Sequence, residues 1–184
     1  MRIRALGPGT LLATCLALSL SAMAPGAHAG GYLAIDGSSL ILGDGNPGDG
    51  VESGLNPRGG RLRLGLRMSQ DFDVEFQVGV SSDDGNEQLD DFRTNFAGAY
   101  LKGYAPVGVR SALFALAGVA GVEFTRTRDA LDTSQTGSGF SFGAGLETEL
   151  SGRFDLSADW MRYLSGDDEL AQVDAVSIGL KYYF

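Results

Sequence analysis

One cysteine, one histidine and one tryptophan are all that the 184 residues hold of those three types. Cys15 and His28 both fall in the first 29 residues, which read as an export signal. Arg2 and Arg4 precede the apolar run Leu11-Leu-Ala-Thr-Cys-Leu-Ala-Leu-Ser-Leu20, and Ala27-His28-Ala29 forms an A-x-A cleavage pattern ahead of Gly30. Leu12-Ala13-Thr14 is a poor lipobox and the apolar run continues past Cys15, so cleavage after Ala29 is expected rather than lipidation. The mature chain then has 184 − 29 = 155 residues, with neither thiol nor imidazole. That excludes disulfides, a cysteine nucleophile and any His-based metal centre.

Positive charge is also scarce. Lys and Arg number 14 against 23 Asp and Glu, and loss of Arg2 and Arg4 takes the balance from −9 to 12 − 23 = −11. A chain this acidic is a poor nucleic-acid binder. Long apolar runs are missing too: nothing after Ala29 approaches the ~20 residues of a membrane helix. A length near 155 suits one domain, residues 30–184. If it enters a membrane it must do so as a closed sheet, because only helices and barrels satisfy every backbone group in lipid.

What remains is a period of two. In Arg61-Leu-Arg-Leu-Gly-Leu-Arg-Met68, Leu62, Leu64, Leu66 and Met68 share one face. In Asp71-Phe-Asp-Val-Glu-Phe-Gln-Val-Gly-Val80, Phe72, Val74, Phe76, Val78 and Val80 do the same. Ser69-Gln70 joins the two at hairpin length. Similar alternation recurs near 94–106, 111–126, 139–150, 153–164 and 173–184, with a first strand near 31–37, giving eight strands. Short connections near 69–70, 106–110 and 151–152 alternate with long, Gly-rich, acidic ones near 38–59, 81–93, 127–138 and 165–172. That asymmetry predicts an all-β, eight-stranded antiparallel up-and-down transmembrane barrel, with short periplasmic turns and longer extracellular loops.

The polar face decides which way the barrel is turned. Its charges are interleaved with Gly65, Gly79, Ser141, Gly143, Gly145, Ser177 and Gly179, the small-and-large mixture that a tapering, filled lumen needs. The charged face is therefore expected inside. Phe72, Phe114, Phe154, Tyr182 and Phe184 are expected to form a lower aromatic girdle, and Phe124, Phe140 and Trp160 an upper one. Strand 94–106 stays open, with Phe96, Tyr100, Lys102 and Tyr104 on one parity and Ala97, Ala99 and Leu101 on the other.

The last strand, Val173-Asp-Ala-Val-Ser-Ile-Gly-Leu-Lys-Tyr-Tyr-Phe184, ends on an aromatic residue, with Val176, Ile178, Leu180 and Tyr182 on one parity. With the leader and the eight strands, the whole mature chain resembles the small OmpA/OmpX-type outer-membrane barrels, catalogued as porin-family or outer-membrane β-barrel domain proteins. The resemblance implies Phe184 as an assembly signal, chaperoned transit of the periplasm and insertion by the barrel-assembly machinery. It also implies a multi-pass, monomeric protein of the Gram-negative outer membrane, in contact with its lipid and lipopolysaccharide. No peptidoglycan-binding domain is expected to follow Phe184.

The candidate site is the lumen. Arg61, Arg63, Arg67, Lys102 and Lys181 are expected there with Asp73, Glu75, Glu123, Glu147, Glu149, Asp155 and Asp159, paired because an unpaired buried charge costs several kcal/mol. Glu147 and Glu149 are adjacent carboxylates, but a crowded, charge-compensated lumen is no place for acid/base work. Lipid-A-modifying barrels, similar in strand number, rely on a histidine that the mature chain lacks. In the first loop, Asp44, Asn46 and Asp49 offer oxygens at short spacing for a weak Ca²⁺ site, without the full EF-hand spacing. No cofactor is expected.

The reading is thus a non-enzymatic outer-membrane barrel with a salt-bridged, plugged lumen, serving envelope structure or surface interaction through acidic loops. The alternatives are a narrow channel for small solutes or ions, and a soluble periplasmic lipocalin-like binding barrel.

Overall fold

The computed structural model describes residues 30–42, 57–83, 91–128, 131–165 and 172–184. The strands are β1 (Gly31–Leu42), β2 (Arg58–Arg67), β3 (Phe72–Asp83), β4 (Asp91–Pro106), β5 (Ser111–Arg128), β6 (Leu131–Ser151), β7 (Phe154–Leu164) and β8 (Val173–Tyr183). Each pairs antiparallel with the next, and β1 pairs with β8, so the sheet closes in an up-and-down barrel. Closure leaves no free sheet edge within the membrane, the condition for spanning lipid with strands.

At the periplasmic end the turns are tight. Met68 N and Ser69 N both donate to Phe72 O at 3.0 Å, and Ser69 Oγ accepts from the amides of Asp71 and Phe72. The serine hydroxyl thus substitutes for backbone acceptors that the turn lacks. Val107 N donates to Ser111 O at 3.0 Å across the next turn. Gly31 and Phe184 meet here: Phe184 N donates to Gly31 O at 3.1 Å and closes the seam.

The outside of the barrel is apolar. Ile35, Leu62, Phe72, Leu101, Val119, Phe140, Ile178 and Leu180 are exposed, several by more than half. A soluble barrel would turn this face inward, so the exposed apolar band belongs against lipid. Phe72, Phe154, Tyr182, Phe184 and Phe140 face outward at the band's two ends, and Trp160 is half-buried on the same face.

Two members of the expected girdles do not join them. Phe114 (3% exposed) and Phe124 (9%) point into the lumen. β5 is apolar on both parities, from Ala112 to Val122, so alternation cannot orient it. Register does: directly opposed residues share a face, and β4 sets Lys102 against Leu116 and Tyr104 against Phe114. Lumen-facing Lys102 and Tyr104 therefore carry Phe114, Leu116, Ala120, Val122 and Phe124 inward.

Several connections are shorter than the spacing suggests. β1 runs on to Leu42, β3 to Asp83, and β4 starts at Asp91. The segment 127–138 is not a loop, since Arg128 pairs with Leu131. β6 is 21 residues long, about 50 Å at ~2.6 Å of climb per residue, twice the ~25 Å apolar band. The β5–β6 hairpin consequently rises well beyond the membrane. Among the described residues, β7 pairs with β6 only from Phe142↔Arg162 downward, leaving 131–141 without a partner on that side.

Candidate functional site: the lumen

The inward residues fall into two layers. Near the periplasmic end they are charged. Asp36 on β1 accepts from Arg61 Nε at 3.0 Å, Arg63 Nε at 2.7 Å and Arg63 Nη2 at 2.6 Å. Arg61 Nη2 also donates to Asp159 Oδ2 at 2.5 Å, and Arg63 Nη2 to Ser157 Oγ at 2.5 Å. Lys102 donates to Glu147 and, at 3.3 Å, to Glu75, while Lys181 donates to Glu147 Oε2 at 2.6 Å. Tyr32 donates to Glu75, Tyr104 to Asp73 at 2.6 Å, and Tyr183 to Asp155 at 3.0 Å.

Lys102 also lies 3.9 Å from the Phe114 ring centroid and Lys181 3.9 Å from that of Tyr32. The ring faces take up ammonium surface left free by the carboxylates. Gly65 is needed here because a Cβ would overlap the Tyr32 ring.

Toward the outer end the lumen is apolar. Leu40, Phe96, Val122, Met161, Tyr163, Leu164, Val173 and Ala175 are buried in one cluster. The Phe96 and Tyr163 rings lie 4.4 Å apart. Tyr163 OH bridges the layers, donating to Gln77 Oε1 at 2.9 Å and accepting from Arg61 Nη1 at 3.2 Å.

Of the residues assigned to the lumen from the alternation, Arg61, Arg63, Asp73, Glu75, Lys102, Glu147, Asp159 and Lys181 are buried within it. Asp155 is half-buried at the periplasmic mouth, where Arg67 reaches Asp73 at 3.5 Å with its side chain 44% exposed. Glu149 is on lumen parity but exposed at that same mouth. Glu123 is a correction: it opposes Asn95 and shares the outward parity of Val119, so it stands on the outer face near the loop end. The register that carries Phe124 inward carries Glu123 out.

Asp44, Asn46 and Asp49 lie outside the described residues. Phe184 is 56% exposed at the seam. The alternation missed Asp36, the acceptor shared by both arginines; the signal was its parity with Tyr32 and Ala34 against Leu33 and Ile35. Among the described residues no three His, Cys, Asp or Glu side chains are grouped to hold a metal ion.

On the outer face, Arg162 forms a two-pronged pair with Asp174 at 2.8 and 2.9 Å, beside the rings of Trp160 and Phe142. Gln172 donates to the same carboxylate at 3.0 Å. This cluster sits at the upper limit of the apolar band.

A family profile described as outer membrane protein beta-barrel domain matches residues 10–184. Among solved structures, Neisserial surface protein A (NspA) is 14% identical with a TM-score of 0.70, the match covering 84% of this chain and 97% of that one. Ail, the attachment invasion locus protein of Yersinia pestis, solved with the heparin analogue sucrose octasulfate, is 18% identical with a TM-score of 0.64, over 86% of this chain and 100% of that one. The N-terminal β-barrel domain of Pseudomonas aeruginosa OprF is 15% identical with a TM-score of 0.55, over 83% and 97%. At these identities the likeness is one of fold. No curated protein sequence is similar enough to count as a relative.

Proposed function

Since the chain belongs to the outer membrane protein beta-barrel domain family and is an outer-membrane protein, we propose that it is a non-enzymatic barrel acting at the cell surface rather than a channel. The observation that carries this reading is the filled lumen. A charged layer tied by Arg61, Arg63, Lys102 and Lys181 lies below an apolar one built around Leu40, Phe96, Met161 and Tyr163. Eight strands leave an interior just wide enough for side chains, and these side chains occupy it.

With the interior filled, interaction falls to the outer end. The β5–β6 hairpin rises there, its Ser134, Gln135, Thr136 and Ser138 exposed, polar and uncharged. In sequence, the connections after β1, β3 and β7 carry Asp44, Asp49 and Glu52, then Asp84, Glu87 and Asp90, then Asp167, Asp168 and Glu169. A polyanion such as the sucrose octasulfate bound by Ail is a poor match for so acidic a surface, and a neutral or basic partner a better one. Cleavage after Ala29, assembly through Phe184 and life as a monomer among lipid and lipopolysaccharide complete the proposal. The divalent cations of the lipopolysaccharide layer give the loop carboxylates a neutralising partner; chelator added to vesicles holding the protein should then lower its unfolding midpoint.

The test is planar-bilayer recording alongside surface labelling. A closed lumen gives no discrete conductance steps, and a Ser134→Cys variant of the otherwise cysteine-free mature chain is labelled on intact cells by a membrane-impermeant maleimide. Regular conductance steps from the purified barrel would overturn the reading in favour of a channel.

A further inference from the structure

The lipid-facing wall is not uniform. On β1, β2, β3 and β8 it presents Leu33, Ile35, Leu62, Val80, Ile178 and Leu180, whereas over β4–β7 it sinks into an apolar groove of about 880 Å³. Strand register lays out the floor. Phe72 opposes Gly103, Gly103 opposes Ala115, Ala115 opposes Ala144 and Ala144 opposes Trp160, so one outward row runs from ring to ring across three small residues. The row below, Leu113, Leu146 and Ala158, continues the groove toward the periplasm. The Phe72 ring leans over Gly103, 3.3 Å from where a Cβ would stand, and makes one wall. Half-buried Trp160 makes the other.

The foot of the groove is polar. Two residues further down the same face stand Ser111 and Thr148, with their hydroxyls 3.2 Å apart. Exposed Arg110 precedes Ser111, and its carbonyl accepts from Glu149 N at 2.8 Å, which ties the turn to the base of β6. Arg67 and Arg162 hold Asp73 and Asp174, but among the described residues Arg110 holds no carboxylate. Glu149, the adjacent acid on β6, is on the lumen parity, opposite to the face of Thr148. A guanidinium and two hydroxyls at the end of an apolar groove are donors suited to a phosphate ester.

Depth selects the leaflet. Leu113 is 113 − 111 = 2 residues above the base of β5, and Trp160 is 160 − 154 = 6 above the base of β7. At ~2.6 Å of climb per residue the groove lies about 5–16 Å above the strand bases, in the periplasmic half of the ~25 Å apolar band and just past its middle. Lipopolysaccharide belongs to the opposite leaflet, and phospholipid to this one. Acyl chains lying in a concave apolar wall make more close contacts than they make on the convex barrel elsewhere, and those contacts add up. A second barrel fits less well. Small residues let backbones approach closely, but a convex partner would meet Phe72 and Trp160 before it reached Ala115.

We infer that the groove binds one diacyl glycerophospholipid of the periplasmic leaflet. Its acyl chains lie over Ala115 and Ala144 between Phe72 and Trp160, and its phosphate meets Arg110 and the Ser111–Thr148 hydroxyls. This lipid is a resident, held at one lipid per barrel, in contrast to the exchanging annulus that covers β1, β2 and β3. The inference concerns the outer wall and stands whether or not the loop end engages a partner.

The test uses the full mature barrel in non-ionic detergent micelles, with Trp160, the only tryptophan, as the reporter. Titration with phosphatidylglycerol carrying brominated chains should quench Trp160 in a saturable step at one lipid per barrel, above the quenching that grows in proportion to micellar lipid. Ala144→Leu fills the floor and should remove the saturable step while leaving the proportional part. Should Ala144→Leu fail to assemble, as read from the mobility of unboiled samples, Ala115→Leu serves instead. Arg110→Gln, or a brominated diacylglycerol that lacks the phosphate, should need severalfold more lipid to reach half-saturation. Proportional quenching alone in the unaltered protein would overturn the inference. So would efficient disulfide cross-linking of an Ala115→Cys variant, which would give the groove to a second copy of the chain.

Discussion

Replacing Asp36 by alanine removes the acceptor that holds Arg61 and Arg63 together. Three hydrogen bonds go at once, at 3.0, 2.7 and 2.6 Å, all between charged groups and all buried. Bonds of that kind contribute about 1.5–3 kcal/mol each, but their sum overstates the loss. Arg61 keeps Asp159 at 2.5 Å, and Arg63 keeps Ser157 at 2.5 Å and Glu75 at 3.6 Å. The appropriate comparison is a buried ion pair stripped of one partner, about 3–5 kcal/mol. The folding equilibrium should therefore fall by about two to nearly four powers of ten.

Urea unfolding in lipid vesicles, followed by Trp160 fluorescence and by the mobility of unboiled samples on gels, measures the change. In Asp36→Ala combined with Arg63→Met, the second substitution removes one stranded cation, so the double variant should lose less than the sum of the singles, by about 1–3 kcal/mol. A loss below about 1 kcal/mol for Asp36→Ala would refute the reasoning, because it would mean that the arginines find water as readily as they found the carboxylate.

Trp160 is the only tryptophan and faces outward, so brominated lipids should quench its emission; no quenching would place that face away from lipid. Gly179→Ala should destabilise by about 1–3 kcal/mol, since its Cβ would meet Asp36 Oδ1 and Ile35 O, while Gly37→Ala, with nothing within 4 Å, should stay within about 0.5 kcal/mol. Glu147→Leu leaves Lys181 without a carboxylate and Lys102 with Glu75 alone, and should cost about 3–5 kcal/mol, whereas outward-facing Glu123→Leu should be nearly neutral; equal effects would contradict the register of β5. Deleting Phe184 should lower the yield of folded barrel in cells more than it lowers the stability of barrel already folded in vitro, as compared by gel mobility and urea midpoints.

How far the sequence discloses this molecule depends on where each strand lies. β2 and β3 alternate cleanly because one face meets lipid and the other meets Asp36, Lys102 and their neighbours, and there the polar parity identifies the lumen. β5 is illegible in isolation: its inner face packs in part against the apolar layer, so both parities are apolar and only pairing with β4 tells Phe124 from Glu123. The outer reach of β6 is illegible for the opposite reason. Beyond the lipid, Ser134-Gln-Thr-Gly-Ser138 meets water on its outward face, the period of two vanishes, and strand reads as loop. Asp36 was within reach of the pattern, but its role depends on two arginines on the next strand and on Asp159 across the lumen, which no local pattern reports.

The ion pairs and charged hydrogen bonds of the lumen join residues far apart along the chain. Arg61 and Asp159 are separated by 98 positions, Arg63 and Ser157 by 94, Lys102 and Glu147 by 45, Lys181 and Glu147 by 34. No single hairpin can satisfy them. A barrel stopped after six strands would leave Arg61 without Asp159 and Glu147 with one lysine of its two, and would hold these unmatched charges against a hydrocarbon boundary. Partial barrels are thus poor resting states, and insertion of this chain should be close to all-or-none. The lumen acts as a checksum on closure, correct only when the last strand has met the first.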